Sequence, residues 1–156
     1  MLALVKTKLG AGNVSLIEVQ EPQPKPNEVK IRVKACGICG SDLHFLHTEQ
    51  DAMSIFPPVT LGHEFCGIIE SVGSEVHGWK IGDYVTSEPP VSTCGKCIYC
   101  QSGLPALCPQ RHSLGSGVNG AFAQFIVTPT HRLHKIPANI NFNCSSLAEP
   151  VACCVH

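Results

Sequence analysis

Val29-Lys-Ile-Arg-Val-Lys-Ala-Cys-Gly-Ile-Cys-Gly-Ser-Asp-Leu-His44 runs an alternating segment straight into a cluster of metal-binding side chains. Val29, Ile31, Val33 and Ala35 alternate with Lys30, Arg32 and Lys34, the period of two that a half-buried strand requires. Less regular alternation predicts further strands over Leu2 to Lys6, Val14 to Val19, Phe65 to Val72, Asp83 to Ser87 and Phe122 to Val127. The connections are rich in Pro and Gly: Glu21 to Asn27 carries Pro22, Pro24 and Pro26, and Glu88 to Gly120 is a long excursion with no periodic segment. A helix is predicted near the end, over Asn143 to Val155, with Ser145 or Ser146 as its cap. The reading is a mainly β fold with short helices, one domain over residues 1–156, long enough to bury its own core.

A hydrophobic fraction of 44% against 15% charged residues suits a soluble globular chain. No apolar run reaches the length that spans a bilayer. Lys6 and Lys8 interrupt the first apolar stretch, which is not the layout of a secretory signal, so a cytoplasmic location is expected. Eleven Lys and Arg against 12 Asp and Glu leave a formal charge of -1, which gathers neither nucleic acid nor an anionic membrane. In a reducing compartment the ten cysteines are better read as metal ligands or small apolar residues than as disulfides.

Cys94, Cys97, Cys100 and Cys108 form CxxCxxCx7C inside the long excursion. Loops of that length are uncommon unless functional or tied down. Each CxxC lets a tight turn place two sulfurs around one ion, and four thiolates close a tetrahedral zinc site. With no position left for substrate, such a zinc is structural, and its binding energy is folding energy. The stretch Cys36 to His44, then Leu61-Gly62-His63-Glu64 and Glu149-Pro150, adds thiolate, imidazole and carboxylate. Three ligands of these types with one open position make zinc a Lewis acid. Singly, each has a plainer reading: a redox pair, a core histidine, a carboxylate favoured at a helix start.

In this order, Cys36-Gly-Ile-Cys-Gly-Ser-Asp-Leu-His44, Leu61-Gly-His-Glu64, the four-cysteine lobe and Ala148-Glu-Pro150 resemble the zinc-dependent medium-chain dehydrogenases, the sorbitol (polyol) and threonine dehydrogenase branches above all. The resemblance covers the whole chain and implies a GroES-like β-barrel catalytic domain, with a Rossmann cofactor domain to follow that these residues do not contain. It implies Cys39 and His63 as catalytic-zinc ligands, Glu64 and Glu149 as competitors for the remaining protein position, and Cys94, Cys97, Cys100 and Cys108 as ligands of a structural zinc. Alcohol dehydrogenases of the Cys2His type use a second cysteine where this chain has Glu149. Cys153, one helical turn beyond Glu149, is a weaker candidate. Cys36, Cys66, Cys144 and Cys154 read as small buried hydrophobes.

The same resemblance gives Ser41 and His44 a proton relay, against plainer readings as a turn hydroxyl and a surface imidazole. It implies hydride transfer from a secondary alcohol or polyol to NAD or NADP, with threonine or another alcohol as the alternative substrate, and a homo-oligomer for the full-length form. Gly115-Ser-Gly-Val-Asn-Gly120 matches GxGxxG, but it follows a cysteine loop and precedes a predicted strand, the wrong context for a phosphate-binding turn. The chain therefore reads as a fragment, inactive by itself. A zinc module that binds a partner without catalysis is the rival from another class. Lys96, Tyr99 and Arg111 are too sparse around the lobe to track nucleic acid.

Overall fold

A computed structural model describes residues 1–48 and 55–155. In chain order the strands are β1 (Leu2–Lys6), β2 (Val14–Glu18), β3 (Glu28–Cys36), β4 (Val59–Thr60), β5 (Phe65–Val72), β6 (Tyr84–Ser87), β7 (Pro90–Ser92), β8 (His112–Ser113), β9 (Phe125–Pro129) and β10 (Leu133–Lys135). The α-helices are α1 (Gly40–His47), α2 (Ile98–Gln101), α3 (Phe142–Ser145) and α4 (Ala148–Val155). None is long and apolar enough to cross a membrane.

β3 is an interior strand of the larger sheet, formed where its alternation predicts a strand. It pairs antiparallel with β5 on one side and β9 on the other, in a five-stranded sheet of order β10-β6-β5-β3-β9. Ile31 lies opposite both Ile69 and Ile126, so three strands send apolar side chains to one place. Val29, Ile31, Phe65, Ile69, Val85 and Ile126 are all buried there with Leu114, Ala121 and Leu133. Lys30 breaks the alternation by being buried as well: its ammonium meets Glu21 at 2.7 Å and lies 5.3 Å from the centre of the Phe125 ring. The aliphatic stem is covered while the charge finds a partner at the edge.

A second sheet, β2-β1-β4, joins the first through the Ala3↔Ala123 bridge and the Leu4 amide on the Phe122 carbonyl at 2.8 Å. Phe45, Ile55, Val59 and Leu61 form a smaller core that seats α1.

Several sequence expectations change. The predicted strand at Phe122 to Val127 begins later, at Phe125, because Ala121 and Phe122 are bonded instead to Gly62 and Leu61. The single helix predicted over Asn143 to Val155 is two, α3 and α4. Asn141 caps α3 by accepting the Cys144 amide at 2.9 Å, so neither Ser145 nor Ser146 is the N-cap. The excursion over residues 88–120 holds the β7-β8 ribbon, α2 and a 3₁₀ turn at Pro105–Leu107, all too short to show a period. Cys66 is buried and Cys36 half-buried, but Cys144 and Cys154 are exposed, since α3 and α4 leave those faces uncovered.

The GxGxxG glycines serve backbone packing. A Cβ on Gly120 would sit 2.1 Å from the Gly62 carbonyl oxygen and 2.6 Å from that of Leu61. Gly120→Ala is expected to cost about 3 kcal/mol by forcing the segment before β9 off the segment that carries His63; a urea melt with an unchanged midpoint would remove this account.

Candidate functional site

Cys39 sits three residues past β3, at the N-cap of α1. Asp42 completes the turn: its carboxylate accepts the Cys39 amide at 2.9 Å and the Gly62 amide at 3.3 Å. One buried side chain thus ties the start of α1 to the Leu61–Glu64 segment, and burial pushes its pKa up against the pull of the Cys39 amide. The Gly37 amide donates to the Glu64 carbonyl at 2.7 Å, a second tie between the same two segments. Gly37 leaves room for the Glu64 carboxylate: a Cβ here would come within 2.5 Å of the Oε2 atom and displace it.

These ties bring Cys39, His63 and Glu64 together, with one ligand atom from each within 4.8 Å of the others. One thiolate, one imidazole and one carboxylate at that spacing fit a zinc with an open fourth position. Glu149, the alternative carboxylate, stands outside this trio among the described residues. It remains close enough for His63 and Glu64 to act on its ionisation, and burial raises its pKa. Cys153 lies 3.9 Å from the Glu149 carboxylate, whose charge raises the pKa of the thiol. It too lies outside the trio.

Ser41, His63, Glu149 and Cys153 line one cavity of about 620 Å³, with Arg111 and Ser116 on its wall. His44 follows Ser41 by three residues on α1, one turn further along the helix. Its Nδ1 lies 3.2 Å from the Thr48 hydroxyl, and its Nε2 is buried with no protein partner among the described residues. His44 is half-buried, which agrees with a partly exposed imidazole, with its Nε2 turned inward.

In the lobe, the sulfurs of Cys94, Cys97, Cys100 and Cys108 all lie within 4.8 Å of one another. The Cys97 amide donates to the Cys94 sulfur at 3.3 Å, and the Cys94 amide to the Cys108 sulfur at 3.5 Å. Amides from Lys96 and Cys97 pull the Cys94 thiol down to about 6. Four converging sulfurs of this kind fit a closed tetrahedral zinc.

Sequence reasoning overlooked Asp42 and Gly37. A signal for Asp42 was present, since Cys39-x-x-Asp42 has the spacing of a capping box. Gly37 had none, because its neighbour is 27 residues away in sequence.

Comparison with known proteins agrees with this architecture. Residues 25–138 match the alcohol dehydrogenase GroES-like domain. The chain is 44% identical to a sorbitol dehydrogenase of Halalkalibacterium halodurans over all 156 residues, which is 45% of that protein. It is 41% identical to an L-threonine 3-dehydrogenase of Stenotrophomonas maltophilia, spanning all of this chain and 46% of that one. Among solved structures, galactitol-1-phosphate dehydrogenase from Escherichia coli superposes with a TM-score of 0.85 at 30% identity, over 100% of this chain and 44% of that one. A candidate zinc-binding dehydrogenase from Sinorhizobium meliloti 1021, solved bound to NADP, gives 0.91 at 37% identity, over 99% and 44%. The chain spans less than half the length of these relatives. Since the match runs from Lys25, just before β3, to Ala138, just past β10, and takes in both ligand clusters, this chain belongs to the alcohol dehydrogenase GroES-like domain family of the zinc-dependent medium-chain dehydrogenases.

Proposed function

We propose that this chain is the substrate-binding and metal-binding part of an oxidoreductase that transfers hydride from a secondary alcohol or polyol to NAD or NADP. The observation that carries the reading is the trio of Cys39, His63 and Glu64 beside the cavity that Ser41 and His63 line. Zinc held by three such ligands supplies Lewis acidity to a hydroxyl placed at its open side. The nicotinamide belongs to a domain outside these residues. Similarity to sorbitol and galactitol-1-phosphate dehydrogenases favours a polyol over threonine only in weight, since a threonine dehydrogenase is nearly as similar.

The chain's own residues have separable tasks. In this reading Ser41 accepts the hydroxyl proton through Oγ and His44, one turn along the same helix, takes it onward; their shared helix supports it. Glu149 on the cavity wall offers a carboxylate to a neighbouring hydroxyl of a polyol. The hydride leaves the carbinol carbon as the proton leaves its oxygen, so an alcohol becomes a ketone and the oxidised nicotinamide becomes the reduced one.

Two measurements test the proposal. Full-length protein purified without chelator is expected to hold about two zinc per chain, one for each ligand cluster. A single zinc, kept after Cys39→Ala but lost after Cys97→Ala, points instead to a lobe that only binds. Ser41→Ala is expected to lower kcat by roughly 100-fold with zinc content unchanged, the range for losing a positioned proton acceptor; turnover equal to wild type rejects the relay.

A further inference from the structure

Lys6 is fully buried, with 0% of its surface exposed, and among the described residues no carboxylate pairs with it. Its ammonium instead meets three backbone carbonyls: Gly10, Gly12 at 3.1 Å and Phe45 at 2.5 Å. A lysine has three N–H donors, and each has an acceptor. Phe45 lies in the last turn of α1, where helix carbonyls lack partners and carry the negative end of the dipole. The Gly12 amide takes the next carbonyl, Leu46, at 2.6 Å, and the Thr48 amide takes that of His44 at 3.0 Å. Lys6 and the residue 10–13 turn thus grip the C-terminal end of the helix whose N-cap is Cys39.

We propose that Lys6 is a positioning residue for the metal site: it fixes α1 along its axis and so sets the reach of Cys39 toward His63 and Glu64. This rests on the zinc reading of that trio. Burying a cation against carbonyls alone, with no carboxylate partner among the described residues, is costly, and an apolar side chain of similar length would be the cheaper filler. The dipole of α1 offsets that cost only while the helix end stays against the ammonium. An eight-residue helix is a stiff rod of about 12 Å, so a slip at Phe45 is passed on to Cys39. Zinc ligands tolerate shifts of only about 0.2 Å.

The test uses full-length wild type, Lys6→Met, Lys6→Arg and Asn13→Ala. Asn13 is exposed, and its side-chain amide holds the residue 9–11 carbonyls of the same turn, so its loss loosens the grip mildly. Zinc release to a graded chelator is followed at both sites, with amide hydrogen exchange across residues 40–48. In Lys6→Met the Cys39 site is expected to hold zinc roughly tenfold more weakly, the lobe to hold it as in wild type, and the last turn of α1 to exchange faster. Lys6→Arg, which keeps the charge and donors, is expected to recover most of the affinity. Equal loss at both sites, or none, in folded Lys6→Met overturns the proposal; should Lys6→Met not fold, unchanged Cys39-site affinity in Asn13→Ala does so. A wild type with zinc in the lobe alone sinks the metal-site reading, and the role of Lys6 with it, whereas two zincs in wild type and in Lys6→Met at equal affinities sink only the latter.

Discussion

Cys39→Ala in the full-length protein is expected to remove one of two zincs and to lower turnover by about 1,000-fold or more. The substitution takes the thiolate from a trio of three and leaves one imidazole and one carboxylate, too few to retain the ion. The Lewis acidity lost with it is worth several kcal/mol at the transition state, and each 1.36 kcal/mol is tenfold in rate. Folding should survive. Alanine keeps the bond from the residue 39 amide to the Asp42 carboxylate and loses only the sulfur half of the capping box, a weak acceptor. The two readouts therefore separate: one zinc is lost while the chain still folds cooperatively, with a thermal midpoint lowered only by the linkage of the lost ion. Turnover within tenfold of wild type, or two zincs still bound, counts against the site.

Cys97→Ala is expected to act in the opposite way, on structure before chemistry. The lobe has almost no apolar interior of its own: Ile98, Tyr99, Leu104 and Leu107 are all exposed, while Cys108 is buried. What holds it is the four sulfurs, and metal binding in small zinc-folded peptides is on the order of 10 kcal/mol, several times an ordinary point mutation. Without a full ligand set the segment 93–109 should open and be cut by protease. The barrel should stay intact, because Val29, Ile31, Phe65, Ile69 and Val85 pack without any lobe residue. Zinc analysis should show the mirror of Cys39→Ala, with the lobe ion lost. A lobe that still resists protease after this change would mean that contacts other than the metal hold it.

The order of magnitude also separates these changes from the backbone substitution. Gly120→Ala strains one close approach between segments, whereas the two cysteine changes each remove a metal. Only the cysteine variants should alter zinc content.

The sequence by itself determined the parts that repeat or recur locally. The alternation over Val29 to Ala35 marked β3 as a strand because a pleat turns every second side chain the same way. The CxxCxxCx7C spacing placed the lobe because short turns alone bring its sulfurs together. Elements without a period stayed hidden: α1 is only eight residues long with an apolar and polar mixture, and α2 and β7 are shorter still. The tertiary structure alone shows which carboxylate lies within 4.8 Å of the Cys39 and His63 ligand atoms. Glu64 and Glu149 are equally good donors on paper, and nothing local distinguishes them. The Gly37 amide on the Glu64 carbonyl, the Asp42 bridge from Cys39 to Gly62, and a glycine that leaves space for the Glu64 side chain bring Glu64 into the trio and leave Glu149 at the cavity wall. Those contacts join residues 20 or more positions apart, and distance across a fold is set by packing rather than by sequence spacing.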